Sequence, residues 1–491
     1  MDRAYSRREF LKAAALAAAA PAVEPVLRRR SMEQPNIVVV LTDDLGYGDL
    51  GCYGAQPSDT SFLDRLAAEG TRFTDFYAPH ASCSPSRAGL LTGCYPYRVS
   101  VPEVLDPSSP EGLNPEEETL PKLLRSVGYR TACVGKWHLG HRHPCLPTDH
   151  GFDEFFGLPY SNDMWRLHPN PGYARQMPPL LLMEGDQRAG RVPGQTEIAW
   201  RSEWPEVGSQ RAQDDLTRLY TARALEFVRG AVANRQPFFL FLAHSMPHVP
   251  LGASARFRGT SPRGLYGDVL REVDDSVRQI VEALGDQARN TVVVFTSDNG
   301  PWLSYGDHAG ATAGLREGKG TTFDGGQRVP MVVWSPGRVP AGRVCREPTV
   351  GIDLLPTLAE LAGAPLPKRT IDGRSELDLW MGREGARTPH EAIFFHYASS
   401  GAIEAVRSGR WKLHMPHPYR TLAGKPGSGG QPGPYREARI GLELFDLQAD
   451  PSETRDVSRE HPDVVDRLLE LAVRHTEEIH ANRRPAARMA D

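Results

Sequence analysis

Asn36 to Asp44 reads NIVVVLTDD, and Thr291 to Asn299 reads TVVVFTSDN. Each is a short β-branched run that ends on a hydroxyl residue and two carboxylate or amide side chains. A strand that is apolar at nearly every position is buried on both faces, as in a parallel sheet covered by helices. In such sheets ligands bind beyond the carboxyl ends of the strands. The two stretches therefore predict a fold class and a site together.

Further runs extend the pattern. TACVG (131–135) is followed by Lys136, Trp137 and His138, and FFLFLA (238–243) by His244 and then His248. PMVVWSP (330–336) comes after Lys319 and a glycine-rich turn, and reads as another strand of the same parallel sheet. Between them lie helical patterns. SFLDRLAAEG (61–70) has Ser61 as its expected N-cap and Gly70 as its stop. Residues 266–284 place Val269, Leu270, Val273, Val277 and Ile280 at helical spacing. Such alternation predicts an α/β fold, with a large mixed, mostly parallel sheet sandwiched by helices.

Past residue 380 the pattern changes. AIFFHY, GAIEAVRSG, RWKLH and LELFDL alternate like strands of an antiparallel sheet, and residues 461–479 read as a closing amphipathic helix. The Gly/Pro-rich stretch from Pro416 to Pro434 reads as a long loop, flexible or a lid. It and the stretch from Ser161 to Gln187 are expected to rim the pocket. The expected organisation is an N-terminal signal and linker (1–34), a catalytic domain (35–380) and a small C-terminal α+β domain (381–491).

The N-terminus SRREFLKAAALAAAAPA carries paired Arg7 and Arg8, then Phe10, Leu11, Lys12 and an alanine-rich run ending at Ala22. It matches a twin-arginine export signal. Its apolar run is too short and too weakly hydrophobic to span a bilayer. The expectation is a protein handed to the twin-arginine translocase and located in the periplasm or secreted. No other segment predicts stable membrane insertion. Net charge is −4 over 491 residues, with no basic tract past the N-terminus, which argues against a nucleic-acid partner. The six cysteines fit no zinc spacing and are too sparse for a disulfide scaffold.

Ser82 to Gly93, SCSPSRAGLLTG, reads as a short helix: Pro85 suits its first turn and Gly93 its end. Cys83 then sits at a helix N-terminus, where negative charge is favoured, with Arg87 one turn on and facing back. Asp43, Asp44, Asp298 and Asn299 offer only hard oxygen ligands at strand ends, which suits Ca²⁺ or Mg²⁺ rather than zinc. Adjacent carboxylates repel unless a cation lies between them. His141, His143 and His244 read as surface or rim groups.

LTDDLGYGDLGCYG, CSPSRAGLLTG, GKWHLG, HGFDEFFGLPYSND, MPHVP, TSDNGP and GKGTTFDGGQRVP occur in this order from residue 41 to 330. In that order they resemble the sulfatase family, nearest the arylsulfatase A type, within the alkaline phosphatase-like group. RWKLH and ELFDLQADPSETRDV resemble the family's small second domain. The resemblance implies that Cys83 is converted by a formylglycine-generating enzyme to formylglycine (3-oxoalanine), whose hydrate attacks sulfur. It implies that Arg87 holds the hydrate and that His138 takes the proton as sulfate is eliminated. It implies that Lys136, His248 and Lys319 contact sulfate, with His248 and Lys319 helping to protonate the leaving oxygen. Ser161 matches a further pocket residue. The implied metal is Ca²⁺, on Asp43, Asp44, Asp298 and Asn299. The expected substrate is a sulfated small molecule or carbohydrate, with aryl sulfates as artificial substrates. Two alternatives share the fold: a formylglycine-dependent phosphodiester or phosphonate hydrolase, and a non-catalytic sugar-binding relative.

Overall fold

The structure is a computed structural model that describes residues 34–186, 206–397 and 401–490. The twin-arginine segment lies outside the described residues. A nine-stranded sheet forms the centre. In spatial order it runs Arg343–Cys345, Thr71–Phe73, Met331–Trp334, Thr291–Ser297, Asn36–Thr42, Phe238–Ala243, Arg130–Gly135, Glu154–Gly157 and Met183–Asp186. The five strands from Thr291–Ser297 to Glu154–Gly157 are parallel. Asn36–Thr42 lies between Thr291–Ser297 and Phe238–Ala243, pairing Val39 with Val294 and Phe241.

One strand departs from the sequence reading. Met331–Trp334 runs antiparallel to Thr291–Ser297. The chain leaves that strand at Asp298, loops through Lys319, and has no crossover helix to carry it back to the other end of the sheet. It therefore re-enters in the opposite sense.

Successive residues of Asn36–Thr42 feed two cores. Val38 and Val40 pack with the helices Ser61–Glu69, Gln210–Ala233 and Gly264–Ala283. Ile37, Val39 and Leu41 pack with Cys83–Thr92, Leu120–Ser126 and Leu354–Ala362. Each such side chain contributes about 1.5–3 kcal/mol relative to exposure. The helix Ser61–Glu69 starts one residue off the expected cap: Thr60 holds that position and makes no side-chain capping bond. The free N–H groups of Phe62 and Leu63 donate instead to Asp274, at 3.0 and 2.8 Å. The cap comes from another helix, so local sequence did not reveal it.

The C-terminal region forms a four-stranded antiparallel sheet, Ile393–His396, Ile403–Ser408, Trp411–His414 and Glu443–Asp446. The helix Pro462–Ala481 packs Val465, Leu468 and Leu471 with its Val406, Leu413 and Leu444. The stretch read as a loop from Pro416 to Pro434 is one strand and the tip of a hairpin. His417–Leu422 pairs antiparallel with Tyr435–Ile440. Gly and Pro are concentrated at its tip, where the N–H groups of Gly427 and Gly433 donate to the Ser304 carbonyl at 2.8 and 2.7 Å. Average composition hid the six-residue strand His417–Leu422 beside that tip. A buried ionic cluster ties this region to the main sheet: Lys412 Nζ lies 2.8 Å from Asp324 and 2.9 Å from Glu453. Asp324 follows the turn that carries Lys319, so the turn is held from below.

Candidate active site

Four parallel strands end at one point, as their sequences predict. Asn36–Thr42 delivers Asp43 and Asp44, Arg130–Gly135 delivers Lys136 and His138, Phe238–Ala243 leads to His248, and Thr291–Ser297 delivers Asp298 and Asn299. Gly135 has φ 111°, and a Cβ there would lie 1.9 Å from the Ala243 carbonyl oxygen, so only glycine lets the strand end this close to its neighbour. Asp44 and His138 both have φ 63°. Left-handed backbone at a non-glycine residue costs about 1–3 kcal/mol and clusters where function needs it.

The helix Cys83–Thr92 brings Cys83 into this cluster. Ser82 is extended, Cys83 opens the helix, and Gly93 ends it at φ 69°. Every residue of the helix is buried. The Cys83 thiol donates to Asp43 Oδ1 at 3.4 Å and accepts from Lys319 Nζ at 3.4 Å. Burial and then the Asp43 charge push that thiol well up, which keeps it protonated and weak as a thiolate nucleophile.

Arg87 is fully buried and spends its donors on the cluster. Nε and Nη2 donate to Asp298 Oδ2 at 2.9 and 2.8 Å, Nη2 to Asp43 Oδ2 at 3.3 Å, and Nη1 to the Lys136 carbonyl at 2.6 Å. Lys136 Nζ bonds Asp43 and also donates to Ser161 Oγ at 3.1 Å. Lys319 Nζ lies 2.6 Å from Asp44 Oδ1. His248 donates through Nδ1 to the Val249 carbonyl at 2.5 Å and holds Nε2 3.5 Å from Asp44 Oδ2.

His138 is poised differently. Its Nε2 lies 2.6 Å from the Leu105 carbonyl. A carbonyl only accepts, so Nε2 carries the proton and Nδ1 the lone pair. That Nδ1 is buried and has no hydrogen-bond partner among the described residues. Burial, then Lys136 and Arg87, hold the imidazole well below its ordinary range, so it is a neutral base at neutral pH.

The oxygen cluster fits a hard cation. Asp44 donates its N–H to Asp298 Oδ1 at 3.3 Å, and Asn299 Nδ2 donates to Asp44 Oδ1 at 2.7 Å. Asp44 Oδ2 and Asn299 Oδ1 are buried and have no donor among the described residues. Ligand atoms of Asp43, Asp44, Cys83 and His248 lie within 4.8 Å of one another. Burial, then the Asp43 charge, push Asp298 up to about 6, a crowding of carboxylates that a cation relieves. Three lysine and arginine side chains balance the three aspartates through the ion pairs above. A divalent ion would make the site positive, as an anionic substrate requires.

The site opens into a cavity of about 350 Å³, lined by Cys83, His138, Ser161, His248 and Lys319. Residues that the sequence did not single out complete its wall: Asp163, Tyr173, Trp302, Tyr397 and Arg420. Asp163 lay within a quoted motif, two residues after Ser161. Arg420 lies in the stretch from Pro416 that was expected at the rim, and the hairpin brings it from 101 positions away to donate through Nε to the Lys319 carbonyl at 3.0 Å. Of the segment expected at the rim, the part from Ser161 to Tyr173 lines this cavity, the part from Gln176 to Met183 lines a neighbouring one, and Gln187 at its end lies outside the described residues. A larger cavity, about 660 Å³ between Ser100–Gly112 and Arg483–Ala486, contains none of these groups. His244 is no rim group: just past the end of its strand it is fully buried, 3.1 Å from Ser276 Oγ on the helix Gly264–Ala283. His143 is exposed and His141 lines a neighbouring cavity. All six cysteines are free thiols.

Comparison with known proteins agrees with this geometry. The sulfatase family model matches residues 35–364, and that of the C-terminal region of aryl-sulfatase matches 388–490. Arylsulfatase A of Bos taurus is 41% identical over 413 residues, covering 82% of this chain and 76% of the bovine one. N-acetylgalactosamine-6-sulfatase of Canis lupus familiaris is 40% identical, covering 78% and 72%. Among solved structures, the PsFucS1 sulfatase from Pseudoalteromonas sp. superposes with a TM-score of 0.81 at 26% identity, covering 99% of this chain and 97% of that one. Ps i-CgsB in complex with k-i-k-neocarrahexaose gives 0.72 at 30% identity, covering 92% and 94%. The chain belongs to the sulfatase family and is a hydrolase of sulfate esters.

Proposed function

We propose that this sulfatase acts through residue 83 after its cysteine is oxidised to formylglycine, and that its physiological substrate is a sulfated carbohydrate. The observation that carries this reading is the Cys83 thiol, held protonated at the point where the anion-binding groups converge. A hydrated aldehyde at that position would supply two geminal hydroxyls, one to attack sulfur and one to expel sulfate. Asp43, Asp44, Asp298 and Asn299 would hold a Ca²⁺ ion that offsets charge on the sulfuryl oxygens. Arg87 orients the hydrate through its place beside Cys83 and the carboxylates. His138 Nδ1 takes the proton of the second hydroxyl. Lys136, Ser161, His248 and Lys319 bind the sulfuryl group, with His248 and Lys319 protonating the departing oxygen.

The carbohydrate reading rests on the aromatic walls Trp302, Tyr173 and Tyr397, which suit a ring-shaped substrate. Relatives named for N-acetylgalactosamine 6-sulfate and crystallised with neocarrahexaose support the same class. The test is kinetic: an aryl sulfate against an aryl phosphodiester, on protein with residue 83 modified. A higher kcat/KM for the sulfate is expected, and a preference for the diester contradicts the reading.

The paired Arg7 and Arg8 support export by the twin-arginine translocase to the periplasm or beyond. Cys83 is 1% exposed. A formylglycine-generating enzyme therefore reaches it only before the helix Cys83–Thr92 is packed, and so before a folded chain is exported. Replacing Arg7 and Arg8 by lysine should leave the protein in the cytoplasm on fractionation. Unchanged export contradicts this route.

A further inference from the structure

Among the described residues lining the catalytic cavity, Asp163 is the only carboxylate. The other ionisable groups there, including Lys319, His248 and Arg420, suit an anion. A negative charge on that wall opposes binding of a sulfate ester, so it needs a separate reason. It is not one of the strand-end oxygen ligands: it stands on the segment that follows Ser161, in the cavity wall. Its hydrogen bond from Ser161 leaves one carboxylate oxygen over. Its residue is 9% exposed, and Oδ1 is buried without a hydrogen-bond partner among the described residues. Burial favours the acid form, yet His248, a hydrogen bond from Ser161, and Lys136 and Lys319 hold the carboxyl below its usual range. It is an ionised acceptor with an unused oxygen.

The backbone around it is fixed. Asn162 is fully buried, its Nδ2 3.4 Å from the His248 carbonyl oxygen and 3.3 Å from that of Pro250. Gln213 Nε2 donates to the Asn162 carbonyl at 2.8 Å. This anchor presents Ser161 and Asp163 from either side of one residue. Ser161 accepts from Lys136 Nζ, at the sulfate end of the cavity.

We infer that Asp163 accepts a hydrogen bond from a substrate hydroxyl neighbouring the sulfate ester, and so selects sulfated sugars over sulfates that lack a hydroxyl. The inference deepens the carbohydrate reading above and rests on it. A buried acceptor that must be paired penalises any substrate without the donor far more than a lost apolar contact would. An aryl sulfate leaves Asp163 Oδ1 unpaired beside an anion. A hexose sulfate pairs it.

The test compares 4-nitrophenyl sulfate with a panel of monosulfated hexoses, using Asp163→Ala and Asp163→Asn proteins bearing the modified residue 83. The Ala variant should lose on the order of tenfold to a hundredfold in kcat/KM on the preferred hexose sulfate. It should change little on the aryl sulfate, or improve there as repulsion is relieved. The Asn variant keeps an acceptor oxygen of the same shape and should lose less on the sugar. It also keeps the test intact if the Ala variant does not fold. The deoxy analogue of the preferred sugar should be a poor substrate for the wild type and no worse for the Ala variant. Equal losses on sugar and aryl sulfate overturn the assignment alone, as does an unchanged rate on the sugar. A wild type that hydrolyses the aryl sulfate but none of the hexose sulfates overturns the carbohydrate reading, and the assignment with it.

Discussion

His138 donates its Nε2 proton to the carbonyl of Leu105 at 2.6 Å, and the N–H of the same Leu105 donates to Ser84 Oγ at 3.1 Å. Leu105 thus sets the tautomer of the histidine and ties it to the helix that begins at Cys83. It leaves Nδ1 as the basic nitrogen. If that nitrogen serves the release step, His138→Ala should separate the two halves of the reaction. Attack on sulfur should still release one equivalent of alcohol. Turnover should then fall by about 10²–10⁴-fold, with a sulfated adduct on residue 83. Stopped-flow alcohol release and intact mass check this. Loss of the burst together with turnover would remove the base role from His138.

Stability should fall in acid. Burial holds His80, His150 and His244 at about 3. His396 and His414, also buried, are lowered to about 4. These groups are neutral in the fold and bind protons near pH 6.5 when unfolded. The unfolded state therefore gains protons first, and each histidine costs about 1.4 kcal/mol per pH unit below 6.5 until its folded value is reached. Glu404, raised to about 7, and Asp274, raised to about 6, act with the opposite sign and offset part of this loss. Tm should drop as pH falls from 6.5 to 4.5, less steeply in His244→Gln. A flat or rising Tm over that range contradicts the balance.

Much of this was legible in the sequence because the sheet is parallel and buried. Apolar runs such as NIVVVL announce their own ends, and the residues after those ends meet at one place. What was missed comes from partners distant in the chain. The reversed sense of Met331–Trp334 depends on where the preceding loop re-enters. The cap of Ser61–Glu69 is Asp274, from another helix. His244 was misplaced because a histidine after a strand reads alike whether the chain turns out or stays buried. Arg420 reaches the cavity only through a hairpin whose tip disguised it as a loop.

Asp298 links the helix Cys83–Thr92 to the oxygen cluster by taking both Nε and Nη2 of Arg87. Asp298→Ala should lower metal content and activity together, because Arg87 then keeps only Asp43 as a carboxylate partner and the cation loses a hard ligand. Activity should fall by about 10²-fold or more, the scale of a lost charge-stabilising group. Elemental analysis showing full Ca²⁺ or Mg²⁺ occupancy with normal turnover would contradict the site. Chelation of wild-type enzyme should reproduce the loss, and Ca²⁺ should restore it.

Arg420 holds the Lys319 carbonyl and lies over Trp302 at 5.8 Å and Tyr435 at 4.8 Å. Its guanidinium is a planar fork that lysine does not reproduce. Arg420→Ala should reduce kcat/KM by about tenfold by loosening the turn that carries Lys319, since small misplacements near the chemistry are costly. Arg420→Lys should recover little of it. Rescue to wild-type rates by lysine would show that charge alone matters there.

The most direct measurement is the mass of the peptide containing residue 83, taken from natively produced, catalytically active protein. Formylglycine chemistry predicts an aldehyde in place of the Cys83 thiol, trapped by a hydrazide reagent, with the modified fraction rising in step with specific activity. It also predicts that Cys83→Ala protein, folded but unable to carry the aldehyde, releases no sulfate. An unmodified thiol at residue 83 in fully active enzyme would contradict it.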